Sequence, residues 1–132
     1  MVTLYSGGRH EDDRGLLLHN NQVDFSRVKR SYLIQNKSIE LIRGWRGHQI
    51  ESRWFICVAG QVRVWVTPLS ELPVDDIHAL PFYDMSESSY DCLVVPPGYA
   101  TAFQSLLPSS KLQCFSDYAV GEVEDDYLFP II

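Results

Sequence analysis

The chain has 132 residues, 45% of them apolar, which is the size of one domain able to bury a single core without disulfides or metals. Its 11 Lys and Arg against 17 Asp and Glu leave a formal charge of −6, a balance that argues against nucleic acid or an anionic membrane surface as partner. No apolar run reaches the roughly 20 residues of a membrane-spanning helix, and Met1 to Tyr5 is too short and too uncharged to begin a signal peptide, so the expectation is a soluble, cytoplasmic protein.

In chain order, Val2 to Tyr5 reads as a short strand, Gly7-Gly8 breaks it, and Gly15 closes an acidic turn before Leu16-Leu17-Leu18. Val28 to Ile34 and Ile39 to Ile42 read as strands separated by the polar turn Gln35-Asn36-Lys37-Ser38. In Gln61 to Val66, Val62, Val64 and Val66 alternate onto one face, and the turn at Ala59-Gly60 is expected to join two antiparallel strands. Residues 67 to 91, with Pro68, Pro73 and Pro81 among acidic and serine residues, read as connecting loop with little chemistry. Leu93-Val94-Val95 and Lys111 to Tyr118 read as late strands, and Val123 to Tyr127 as an acidic turn or a tail against the body of the fold. No long helical period occurs anywhere. The expected fold class is therefore all-β, a single-domain jelly-roll barrel over residues 1–132.

Chemistry concentrates in Ile42 to Gly60. If Arg46 to Ile50 is extended, Arg46, His48 and Ile50 share one face, which would then carry a fixed cation and a titratable base. Such a pair suits an anionic ligand whose chemistry moves a proton near neutral pH. His10, His19 and His78 lie in or near turns with no partner at ligand spacing and read as surface residues. Cys57, Cys92 and Cys114 each sit within or beside an apolar segment, which predicts buried free thiols rather than a disulfide framework or metal cluster.

Arg43-Gly44-x-x-x-His48, the strand ending at Gly60, and Val95-Pro96-Pro97-Gly98-Tyr99-Ala100-Thr101-Ala102-Phe103 together resemble the RmlC-like cupins. Within them the chain is most similar to the WxcM-like dTDP-sugar 3,4-ketoisomerases and sugar epimerases, from Asp12-Asp13-Arg14-Gly15 to Asp126-Tyr127-Leu128-Phe129-Pro130. The resemblance implies a metal-independent isomerase or epimerase. Its substrate would be a nucleotide-linked, dTDP-borne 4-keto-6-deoxy sugar of surface-polysaccharide biosynthesis, turned over by proton abstraction through an enediolate. It implies His48 as base, with Tyr32 and Arg46 as further catalytic groups, and Arg14, Arg43, Arg53, Trp45 and Thr101 at the substrate. It also implies a homodimer and no cofactor.

Metal-binding cupins supply two histidines one residue apart, a glutamate, and a fourth ligand after a proline-glycine turn. Here Arg46 holds the first position and Thr101 stands where the turn leads to the fourth, so a metal-free pocket is expected. The 3,5-epimerases place a histidine where this chain has Arg46, and the 3,4-ketoisomerases place one at both Arg46 and His48. Only the second is kept. Arg46 beside His48 is expected to depress the imidazole pKa and keep it neutral. Three residue-level alternatives stay open: Tyr32 as a core aromatic, Arg14 as a solvated loop charge, and Trp45 or Trp54 as core or dimer-interface residues. At the level of function the alternatives are a catalytically inactive cupin that binds a nucleotide sugar or similar anion, and a structural barrel in which Arg43 simply pairs with Glu51.

Overall fold

The computed structural model describes residues 1–132. In chain order the strands are β1 (Thr3–Tyr5), β2 (Gly8–Asp12), β3 (Gly15–His19), β4 (Arg30–Ile34), β5 (Ile42–His48) and β6 (Arg53–Ala59). They continue as β7 (Gln61–Pro68), β8 (Phe82–Ser86), β9 (Cys92–Val95), β10 (Tyr99–Ser105), β11 (Lys111–Ser116) and β12 (Tyr127–Leu128). Two five-stranded antiparallel sheets, in the orders β1-β9-β6-β11-β4 and β12-β5-β10-β7-β8, face each other, and β2 with β3 forms a separate hairpin. No helix is long and apolar enough to cross a membrane.

Period-2 alternation builds the space between the sheets. Phe55 and Cys57 from β6, Val62 and Val64 from β7, Leu93 from β9 and Cys114 from β11 meet there as one buried cluster. Burying each large apolar side chain contributes on the order of 2 kcal/mol. The other faces of the same strands are covered as well. Trp54, Ile56 and Cys92 pack outside the first sheet under Val23 and Val28, while Trp45 and Trp65 pack outside the second with Leu69 and Ile77. All three cysteines are free and buried, and burial pushes the Cys92 and Cys114 thiols up to about 12.

Several boundaries differ from the expected ones. β6 and β7 belong to different sheets, so the turn at Gly60, where φ is +68°, is a corner that carries the chain across the sandwich rather than a hairpin between paired strands. A Cβ on Gly60 would strike the side chain of Ser110, which leaves glycine as the residue that fits. Ile39 to Leu41 is not a strand, and the strand after the polar turn runs from Ile42 through His48. Residues 67–91 are not a bare loop. Leu69 and Ile77 lie on two short 3-10 turns that seal the outer tryptophans, and β8 completes the edge of its sheet.

Candidate active site

One irregularity in β5 arranges the cationic side chains. Against β10, Arg46 pairs with Thr101 and Arg43 with Phe103, so Gly44 and Trp45 together oppose the single residue Ala102. That is a β-bulge, and it reverses the parity of everything beyond it. Arg43 and Arg46, three apart, would face opposite sides of a regular strand; with the bulge both line the interior cavity along with His48. Gly44 and Trp45 take the outside, Gly44 beside Ile131 and Trp45 within the outer cluster. Gly47 also faces outward, where a Cβ would run into Leu69. The strand stops at His48, and Ile50 lies in a bend, 43% exposed, so it does not share the face of Arg46 and His48.

The cavity, about 370 Å³, opens between the sheets at one end of the sandwich. Arg30 and Tyr32 reach it from β4, Arg43, Arg46 and His48 from β5, and Arg53 from β6, while Val123, Asp125 and Asp126 of the acidic tail close it. Four of the chain's 11 basic residues are thus gathered in one hollow of a protein whose net charge is −6. The acidic tail does lie against the barrel, held by β12 on β5 and by Lys29 with Glu122 at 3.0 Å.

His48 is 3% exposed, and its environment fixes its tautomer. Nδ1 lies 2.8 Å from the backbone carbonyl of Asp125 and 3.1 Å from Oε2 of Glu51, and both partners can only accept. Nδ1 therefore carries the proton, and Nε2 keeps a lone pair. Burial lowers the His48 pKa, with the Arg53 cation as the next cause, against the opposing pull of Glu51, the Asp125 carbonyl and Asp126. The depressed value matches expectation, but its electrostatic cause is Arg53 rather than Arg46.

Glu51 takes Ser116 Oγ at 2.5 Å and Arg30 Nη2 at 3.0 Å on Oε1. Burial alone would raise its pKa; the hydrogen bonds from Ser116 and Arg30 and the neighbouring His48 outweigh that and hold it below the usual carboxylate value. Arg43 does not pair with Glu51, which removes the ion pair on which a purely structural reading rested. The Asp125 carboxylate accepts the backbone N–H groups of Gln49, Ile50 and Glu51 at 2.8 to 2.9 Å, so one residue caps the bend after β5 while its carbonyl orients the His48 ring.

Arg53 is 3% exposed. Its Nη1 donates to Thr101 Oγ1 at 2.9 Å and Nη2 to the Tyr99 carbonyl at 3.3 Å, whereas Nε, buried, has no partner. Burial pushes its pKa down to about 10, which still leaves a full cation at neutral pH. Burial raises the Tyr32 pKa, so that hydroxyl keeps its proton.

The implied site residues thus separate into groups. His48, Tyr32, Arg43, Arg46 and Arg53 converge on the cavity. Thr101, fully buried, does not reach the cavity surface and instead supports Arg53 from behind. Trp45, 1% exposed, is a core residue of the outer cluster, not a wall of the site. Arg14 lies on the β2–β3 turn, outside the cavity and tied to Asp12 at 2.7 Å. Residue types and spacing did not reveal Arg30, Ser116 and Asp125, since their contacts to residues 48 to 51 span 21 to 77 positions in sequence. The acidic stretch Val123 to Tyr127, which reads as a turn or a tail against the body of the fold, was the sole signal, and nothing in it singles out Asp125.

His48, Glu51 and Asp125 offer donor atoms within 4.8 Å of one another, the one grouping that could suggest a metal. Its donors are committed otherwise. Nδ1 is protonated, Glu51 is bound by Ser116 and Arg30, and Asp125 caps three amides beside the Arg53 cation, so the set does not fit an ion.

No protein-family model and no curated protein sequence matches the chain. Solved structures do. A mutant of the 3,4-ketoisomerase QdtA from Thermoanaerobacterium thermosaccharolyticum, solved with TDP-4-keto-6-deoxyglucose, superposes with a TM-score of 0.75 at 18% identity, over 96% of this chain and 86% of that one. The rmlC epimerase of Mycobacterium tuberculosis gives 0.73 at 16%, over 91% and 64%. The 3'-monoepimerase ChmJ from Streptomyces bikiniensis, solved with dTDP-quinovose, gives 0.72 at 16%, over 92% and 67%. At such identities the likeness is one of architecture, and with the antiparallel sheets and the cavity between them it shows that this chain has the RmlC-like cupin fold.

Proposed function

We propose that the protein is a metal-independent isomerase or epimerase of a nucleotide-linked 4-keto-6-deoxy sugar, with dTDP as the carrier, in the making of surface-polysaccharide sugars. The observation that carries the proposal is His48: a neutral imidazole with its proton pinned on Nδ1 and its Nε2 lone pair free, in a cavity walled by arginines. Architectural neighbours that hold TDP-4-keto-6-deoxyglucose or dTDP-quinovose support the choice of substrate.

The chemistry follows from the positions. Nε2 takes a proton from the carbon next to the C4 ketone, and the C–H electron pair moves to O4 to give an enediolate. The protonated Tyr32 hydroxyl is the donor for that oxyanion, with the buried Arg53 cation behind it, and such stabilisation is commonly the largest single contribution to a reaction of this kind. Glu51 balances the imidazolium that forms. Return of the proton to C4 of a 3,4-enediol, with loss of the O3 proton, moves the ketone to C3; return to the original carbon from its opposite face inverts that centre. Arg43 and Arg46 suit the diphosphate, as guanidinium forks match phosphate oxygens.

The test is proton NMR of dTDP-4-keto-6-deoxyglucose with the protein in deuterated water. Solvent deuterium is expected at the carbon beside the ketone, with ketone migration marking an isomerase and inversion an epimerase. Nucleotide line broadening without any exchange would leave an inactive cupin that binds the sugar nucleotide.

We further propose that the protein works as a homodimer. Leu16 and Leu17 on the β2–β3 hairpin are 51% and 57% exposed, and apolar groups on a projecting arm call for a covering surface, which a second copy would supply. Light scattering is expected to give twice the 15.1 kDa chain mass, and Leu17→Glu to shift it toward the monomer; an unchanged dimer in that variant would place the interface elsewhere.

A further inference from the structure

Glu51 touches two groups that the proposed reaction uses for different purposes. Oε2 faces the protonated nitrogen of His48 at 3.1 Å, and Oε1 receives Arg30 Nη2 at 3.0 Å. Arg30 is tied at two points and leaves one amino group free. Its Nε donates to the Tyr118 carbonyl at 3.1 Å, its guanidinium lies 5.2 Å from the Tyr32 ring, its Nη1 makes no hydrogen bond, and the side chain is 31% exposed where it lines the cavity. Glu51, by contrast, is sealed: 7% exposed, with Ser116 Oγ as its remaining partner.

We propose that Glu51 is a positioning residue that couples ligand binding to the base: an anionic diphosphate drawn to the free Nη1 of Arg30 takes up part of the positive charge that otherwise neutralises Glu51, and the carboxylate then acts more fully on His48. This deepens the reading of the site above and rests on His48 being its base. The physical argument is competition for one cation in a poorly screened pocket, where interactions between charges fall off less than in water. None of the other charges that face His48 pairs with Arg30. Arg53 from β6 is tied to Thr101, Asp125 from the tail is tied to three backbone amides, and Asp126 stands 3.7 Å away with its side chain largely in solvent. Arg27, 68% exposed, outside the cavity and paired with Asp117 at 3.8 Å rather than with Glu51, is the control.

The consequence is that His48 becomes a stronger base when the site fills, so that the imidazole is readied by the substrate it is to deprotonate. The experiment is an NMR titration of the His48 imidazole with pH, with and without saturating inorganic pyrophosphate, which needs no turnover and so stands whether or not the proposed reaction occurs. Pyrophosphate is expected to raise the wild-type His48 midpoint by about one unit. In Glu51→Gln and in Arg30→Gln the rise is expected to fall to less than half of that, while Arg27→Gln keeps it. An equal rise in Glu51→Gln would show that pyrophosphate acts on His48 directly through its own field, and an equal loss in Arg27→Gln that any nearby cation matters; either would overturn the coupling, and so would no rise in the wild type. Because Glu51 is buried, its variant could misfold, and Arg30→Gln, on a half-open wall, then decides the question against Arg27→Gln alone.

Discussion

Replacing His48 by asparagine is expected to lower the rate of solvent-deuterium exchange into the keto sugar by about 10²- to 10⁴-fold, the range that a positioned general base supplies. Asparagine can still donate toward the Asp125 carbonyl from the same backbone position, so the substitution removes the Nε2 lone pair with little disturbance of the surroundings. The KM for the nucleotide sugar should move much less than kcat, because the arginines of the cavity wall are untouched. A variant that exchanges deuterium at the wild-type rate would remove His48 from the reaction. The same substitution has a signature in stability. The folded pKa of His48 lies below its ordinary 6.5, so at pH values between the two the unfolded chain takes up a proton that the folded chain does not. Stability present above about pH 6.5 is therefore lost as pH falls through the folded value. Glu51, also depressed, from 4.5, adds its loss only at lower pH. Thermal melts between pH 7 and pH 5 are expected to be steeper in pH for the wild type than for His48→Asn; parallel curves would mean that the imidazole is not buried neutral.

Truncating Asp125 to alanine is expected to be the most destabilising single change in the site. Three backbone N–H groups of the bend after β5 would lose a charged acceptor at once, in a place where the carboxylate is 1% exposed and water cannot readily take over. Hydrogen bonds to a charged group contribute about 1.5 to 3 kcal/mol each and are not additive, so a loss of about 3 kcal/mol is expected, or about 10 °C in melting temperature. Activity should fall beyond what the loss of folded protein explains, since the Asp125 carbonyl that orients His48 is carried by the same bend. Asp125→Asn, which keeps one acceptor oxygen, should sit between the two in a thermal melt. A melting point for Asp125→Ala within 2 °C of wild type, roughly the scatter of surface substitutions, would mean that the three amides find water instead.

The strands were legible because their alternation is clean: Val62, Val64 and Val66 face inward together, and the segments around Cys57, Cys92 and Cys114 are buried as their apolar neighbours require. Pairing was harder to read. Gly60 announces a turn, yet a turn into the same sheet and a corner between sheets use the same residue, and which of them forms depends on partners far along the chain. The stretch 69 to 80 looked like loop because its apolar residues are scattered among prolines and acids, and their role is visible only once Trp45 and Trp65 are seen on the outer face that they cover. Trp45 itself shows how a residue between two cavity-lining arginines can belong to the opposite side of the sheet. In the site, local alternation was enough to put Arg46 and His48 on one face, but not Arg43, which joins them only through the bulge against β10, nor Arg30, Ser116 and Asp125, which reach it from elsewhere in the chain.

The extra residue in β5 makes the interior of this barrel sensitive to chain length as much as to composition. Lengthening β10 by one position beside Ala102, so that Gly44 and Trp45 each gained a partner, would bring the ladder back to regular alternation, and Arg43 and Arg46, three apart, could then no longer share a side. One guanidinium would be turned out toward the outer tryptophans, the hollow would lose a unit of positive charge, and β5 itself would keep every residue. A one-residue insertion in the neighbouring strand acts on the ligand as the loss of an arginine would, so a length change there alters anion binding even where every arginine is retained.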